Sequence, residues 1–166
     1  MTERDLLIKE KVENRGIFDF KGLYRFAHNW FKDEGYGVDE DEYVEKVSGN
    51  SRDIDIKWKA TKKLSDYFKV EHLIKFKIEK LTDVEVEIDG EKKQTNKGKV
   101  EVEIKSSLVS DPESKWDKSP TQRFLRDVYS KYIIPTRVDN VKNEVIGDAQ
   151  KFKEELKSCL ELMGKR

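Results

Sequence analysis

From Phe68 to Leu108 the chain alternates with a period of two. Even positions carry Phe68, Val70, Ile74, Phe76, Ile78, Val84, Val86, Ile88, Val100, Val102, Ile104 and Leu108, while odd positions are mostly Lys or Glu. Successive side chains of a strand point to opposite faces, so this alternation specifies strands with one buried and one solvated face. The stretch predicts a long strand over Phe68–Lys80, a short one over Val84–Ile88 and a third over Val100–Leu108. Register selects a three-residue loop, Leu81-Thr82-Asp83, between the first two. That loop sets Ile78 opposite Val86 and Phe76 opposite Ile88, whereas a two-residue loop sets Ile78 against a glutamate. Asp89-Gly90 is the dipeptide of a tight type I′ turn, and Asp89–Gly98 reads as a protruding basic loop or ribbon.

Val-Glu-Val-Glu-Ile occurs twice, at 84–88 and 100–104. Pairing the copies would gather Glu85, Glu87, Glu101 and Glu103 on the outer face, where like charges repel. Lys75 and Lys77 on a neighbouring strand would relieve the repulsion. A solvated, lysine-neutralised face is favoured over a hard-cation site, because no calcium-loop spacing is present.

The remaining elements follow in chain order. Asp5–Glu13 reads as a first strand, with Leu6, Ile8 and Val12 on one side, Leu7 and the charges on the other, and a break at Gly16. Asp19 is the expected N-cap of a helix over 20–34 whose stripe is Phe20, Leu23, Tyr24, Ala27, Trp30 and Phe31, with Gly35 as its stop. Asp39–Glu42 reads as an acidic linker. Tyr43–Val47 and Ile54–Ala60 form a hairpin across Ser48-Gly49-Asn50. Beyond Asp111-Pro112 the pattern turns helical. Ser119-Pro120-Thr121-Gln122 opens a helix over 120–134. A second helix over 136–163 carries Val138, Val141, Val145, Ala149, Phe152, Leu156, Cys159, Leu160 and Met163 on one stripe. A stripe of that kind most often packs across a sheet.

The predicted fold is α+β, one domain over 1–166 with strands at 5–13 and across 43–108. Its twisted antiparallel sheet has about five or six strands, packed against a long C-terminal amphipathic helix, with one helix after the first strand. This element order resembles the helix-grip fold of the START-like superfamily (polyketide cyclase and lipid-transfer types). The resemblance implies a curved sheet wrapped round the last helix, with an apolar ligand held between them. No sequence motif accompanies it.

Composition narrows the function further. Lys+Arg and Asp+Glu number 34 each, and the balanced charge argues against a general nucleic-acid binder, basic though Lys92–Lys99 and Lys57–Lys63 are. The single cysteine, Cys159, allows no internal disulfide and fits a reducing compartment. No apolar run is long enough to span a membrane, and Met-Thr-Glu-Arg-Asp opens no secretory signal. The expectation is a soluble cytoplasmic protein.

Side chains for chemistry are few. His72 falls on the apolar face between Val70 and Ile74, where a buried imidazole is either a ligand's polar anchor or a hydrogen-bonded core residue. His28 sits at the edge of the first helix's stripe, and nothing in the spacing brings the two histidines together as metal ligands. Cys159 reads as a small core residue. No phosphate-binding glycine pattern and no nucleophile elbow occur, which speaks against a standard enzyme and calls for no cofactor or metal.

The first functional expectation is a non-enzymatic binding domain for a small apolar or amphipathic molecule such as a lipid. Its cavity would lie between sheet and C-terminal helix, lined by Trp58, His72, Phe76, Phe152 and Leu156. The alternative is a pocketless module that meets a protein partner, a second copy or a membrane surface through helices 116–134 and 136–163, with Trp116 at the contact.

Overall fold

The computed structural model describes residues 3–65, 67–110 and 135–164. The helix expected over 120–134 and Trp116 lie outside the described residues. Five strands, β1 (Glu3–Phe18), β2 (Gly37–Ser48), β3 (Ser51–Lys63), β4 (Phe68–Ile88) and β5 (Glu91–Ser110), form one antiparallel sheet in the order β1-β5-β4-β3-β2. Helix α1 (Phe20–Asp33) follows β1, and α2 (Pro135–Gly164) follows the sheet. The chain is α+β.

The inner face of the sheet is assembled row by row. Ile54, Ile78 and Val100 align across β3, β4 and β5, and so do Ile56, Phe76 and Val102, with Val12 of β1 completing the second row. Against these rows α1 sets Leu23, Ala27, Trp30 and Phe31, and α2 sets Val145, Ala149, Phe152, Leu156 and Leu160. Residues in both sets recur three or four apart, so each helix turns one stripe to the sheet. The opposite face of the sheet carries charged side chains, where Lys11 bonds Glu101 at 2.9 Å and Lys57 bonds Glu42 at 3.2 Å.

Two β-bulges change what simple alternation predicts. Leu81-Thr82-Asp83 is no loop. β4 runs through it, with Glu79 opposite Lys99 and Thr82 opposite Lys97, so Lys80 and Leu81 together face Gly98. Lys80 takes the left-handed conformation (φ 54°), which inserts the extra residue and drives Leu81 fully into the core. The inward phase thereby switches from even to odd positions. Asp83 now shares a face with Asn96, their side chains bonded at 2.8 Å, and Val84, Val86 and Ile88 point to the opposite face, half-buried. The hairpin turn falls instead at Asp89-Gly90, both with positive φ as a type I′ turn requires. Consequently Val84–Ile88 pairs with Glu91–Thr95, not with its sequence copy, and Lys75 and Lys77 face Glu103 and Glu101. The four glutamates do not converge.

In β1 the extra residue is Leu7. Leu6 pairs with Ser107 and is 58% exposed, while Leu7 and Ile8 both pack on the core, reversing the sides expected for Leu6 and Leu7. β1 also passes through Gly16 (φ 121°) to Phe18 rather than stopping there. Asp39–Glu42 is strand, not linker: it belongs to β2, with a bulge between Glu40 and Glu42.

Helix α1 is capped at both ends by defined contacts. Asp19 occupies the N-cap position without a side-chain capping bond, and the Phe20 N–H donates instead to Asn96 Oδ1 of β5 at 3.1 Å. At the other end Gly35 (φ 90°) lets the Tyr36 N–H reach back to the Phe31 carbonyl at 2.9 Å, a Schellman closure that turns Tyr36 under the helix.

Candidate functional site

The five residues expected to line an interior cavity are all buried, and they are in contact through neighbouring rings. Trp58 meets Phe76 edge-on with centroids 4.8 Å apart, and Phe152 lies 4.7 Å from Phe31 and 5.1 Å from Trp30. His72 stands 4.8 Å from Tyr36 and 5.7 Å from Phe31, and Leu156 is fully buried in the same cluster. Ring separations of 4.5–7 Å are those of packed aromatic pairs. These rings bring side chains of β3, β4 and the two helices into contact.

His72 and Ser106 are buried polar side chains beside this interior. His72 has no exposed surface, its Nδ1 shares a hydrogen bond of 2.5 Å with Ser106 Oγ, and its Nε2 has no partner among the described residues. Burial, with the positive charge of Lys62 adding to it, pushes its pKa down to about 4, so the imidazole is neutral near neutral pH. Next to it the Tyr36 hydroxyl donates to Asp148 Oδ2 of α2 at 2.9 Å, and burial followed by that carboxylate raises the phenol's pKa. Lys62 lies over the Tyr36 ring at 5.3 Å and donates to the Glu34 carbonyl. These groups stitch α1, α2 and the sheet together.

The second histidine lies elsewhere. His28 is half-buried and meets the Trp58 ring edge-on at 5.6 Å, on the flank of α1 that faces β2. Among the described residues no three metal-ligating side chains gather.

That flank of α1 forms a cleft with β2. One turn before His28, Tyr24 also packs on Trp58, at 5.0 Å, and its hydroxyl donates to Glu40 Oε1 of β2 at 2.8 Å. Trp58 Nε1 donates to the same carboxylate oxygen at 3.3 Å. Glu40 thus pins α1, β2 and β3 together, and burial with this carboxylate pushes the Tyr24 pKa up to about 12. Beyond the pin the helix and strand part. The opening, about 470 Å³, is lined by Phe20, Lys21, Tyr24, Arg25, His28 and Asn29 of α1 and by Tyr43 of β2. At 100° per residue, Lys21, Arg25 and Lys32 stand on the same side of α1 as His28, above the aromatic floor. Among the described residues none of the three makes an ion pair.

A further cleft, about 660 Å³, opens between α1 and the end of α2 and is lined by Phe26, Glu154, Glu155, Ser158, Cys159, Leu162 and Met163. Cys159 is half-buried there, its thiol pKa raised chiefly by burial, and Leu162 is 71% exposed.

Sequence reasoning did not find the α1–β2 cleft. Its signal was present in two pieces: the basic positions Lys21, Arg25 and Lys32 spaced four and seven apart on one helix flank, and the exposed aromatic Tyr43 in an acidic strand. No helix among the described residues is long and apolar enough to cross a membrane. No protein-family model, curated protein or solved structure matches the chain.

Proposed function

We propose that the chain is a binding domain, not an enzyme, and that it holds a small amphipathic molecule in the α1–β2 cleft. The observation that carries this is the pairing of an aromatic trough (Phe20, Tyr24, Tyr43) with cationic side chains, Lys21 and Arg25, that no carboxylate of the described residues neutralises. A ligand with a flat or aliphatic body and one anionic group satisfies both halves. Pockets of this size, mostly apolar with a few convergent polar groups, are the usual form of small-ligand sites. The START-like expectation places the ligand between sheet and α2. The ring-to-ring contacts of Trp58, Phe76, Phe31 and Phe152 favour the outer cleft, because an interior ligand would have to part them.

Fluorescence titration with anilinonaphthalene sulfonate, an aromatic anion, tests the reading. Arg25→Glu and Tyr43→Ser alter exposed side chains and should leave the fold intact, and each is expected to weaken binding about tenfold, or about 1.4 kcal/mol. Binding that both variants leave unchanged sinks the proposal.

A second reading, a module that associates through its helices, draws support from the exposed Leu162 beside Phe26 and Met163. Light scattering across a concentration series decides it. A mass that rises with concentration, and that Leu162→Glu returns to monomer, supports association through this end of α2. A constant monomer mass ends it.

A further inference from the structure

β2 is the last strand of the sheet, and among the described residues β3 is its only neighbour. Its outer edge therefore offers backbone N–H and C=O groups that no other described strand takes up. Past the bulge between Glu40 and Glu42 the strand is regular as far as Ser48. On this stretch stand Tyr43, Val44 and Val47, exposed by 44%, 36% and 70%, three of the seven large apolar side chains exposed among the described residues. Apolar side chains gathered on an unpaired edge mark a strand that can join another chain.

We propose that the partner is a second copy of this chain, joined antiparallel through β2 into one continuous sheet. A two-fold axis relating antiparallel edge strands runs perpendicular to the sheet, so it sets one residue opposite its own copy. The choice of that residue fixes every other pair. Glu42, Glu45 or Lys46 on the axis would oppose like charges, and Tyr43 there would set the acidic bulge at Asp41 opposite Glu45. With Val47 on the axis, the turn at Gly49-Asn50 leaves only Lys46–Ser48 to pair. Val44 on the axis opposes no like charges across Glu42–Lys46. Val44 then meets its own copy, Tyr43 meets Glu45, and Glu42 meets Lys46 twice.

Charge complementarity is what makes this edge fit itself. Glu42, Val44 and Lys46 lie two apart and so share the outer face of the sheet. Lys46 makes no ion pair among the described residues, and Glu42 meets Lys57 through one carboxylate oxygen, which leaves the other for Lys46 of the partner subunit. The acidic start of β2 falls beside Val47 and Ser48 of the partner subunit, not beside its own copy. The axis keeps both inner faces on one side of the sheet, so the two α1–β2 clefts flank it. This pairing is independent of what the clefts hold.

Sedimentation equilibrium of the whole chain across a concentration series tests the pairing. Wild type is expected to form a weak dimer. Glu42→Lys and Lys46→Glu should each weaken it about tenfold, because each sets like charges opposite one another at two symmetry-related places. Mixed one to one, the two variants should associate with each other as tightly as wild type, since every opposed pair is then Lys with Glu. That recovery also shows that both variants fold. A chain that stays monomeric at every concentration overturns the proposal. So does a dimer that the single variants leave intact, or one that the mixture fails to restore. A dimer that Leu162→Glu dissolves overturns it too and assigns the contact to the end of α2.

Discussion

His72 is an ionisable side chain with no exposed surface. Unfolded, it would titrate near 6.5; folded, near 4. Between these values the unfolded chain binds a proton that the folded chain refuses, so this residue's contribution makes stability fall as the pH drops through the window. The contribution is fully retained above 6.5 and fully lost below about 4. Its size is on the order of 3 kcal/mol. Chemical denaturation at pH 7 and near pH 4 should show wild type losing that much more than His72→Gln over the same interval. Equal losses would mean that His72 is solvated in the folded protein. Glu40 makes a second residue-scale case. Glu40→Ala removes the acceptor of both Tyr24 Oη and Trp58 Nε1 at a partly solvated position, and should cost about 0.5–1.5 kcal/mol in denaturant unfolding. An unchanged midpoint would show that water replaces the carboxylate.

At the scale of elements, two glycines should respond in opposite directions to alanine. A Cβ on Gly98 would lie 3.0 Å from the Glu79 carbonyl oxygen and 3.1 Å from the Leu81 Cα, both backbone atoms of the bulge. Gly98→Ala should therefore destabilise by about 1–3 kcal/mol. Gly147 lies in the middle of α2, exposed, and a methyl added there would meet nothing within 4 Å, so Gly147→Ala should stabilise by up to about 1 kcal/mol. Thermal unfolding of the two variants checks both signs. The same bulge shows where the sequence is legible and where it is not. Alternation locates β3, β4 and β5 and the inward side of Trp58, Phe76 and Val102, because burial writes itself into every second residue. It does not reveal that Lys80 adopts a positive φ, since lysine carries no mark of that conformation, and one inserted residue reverses the phase of everything after it. β2 escapes for a different reason. An edge strand with little to bury shows no apolar alternation, so its run of Asp and Glu reads as linker.

At the scale of the whole molecule, aromatic rings from the sheet and the two helices pack against one another in the interior, and the cationic side chains without an ion pair among the described residues stand at the rim of the α1–β2 cleft. The cationic flank of α1, the aromatic side chains beside it and Tyr43 of β2 meet at one cleft, and no single stretch of sequence contains all of them. For that reason the interior residues could be named from sequence and the cleft could not. Recording two-dimensional amide spectra of the isotope-labelled protein while adding anilinonaphthalene sulfonate tests the central claim most directly. Saturable shifts confined to Tyr24, Arg25, His28 and Tyr43, with His72, Phe76 and Phe152 unmoved, are the predicted result. Shifts centred on His72, Phe76, Phe152 and Leu156 would place the ligand between sheet and α2 and contradict the account.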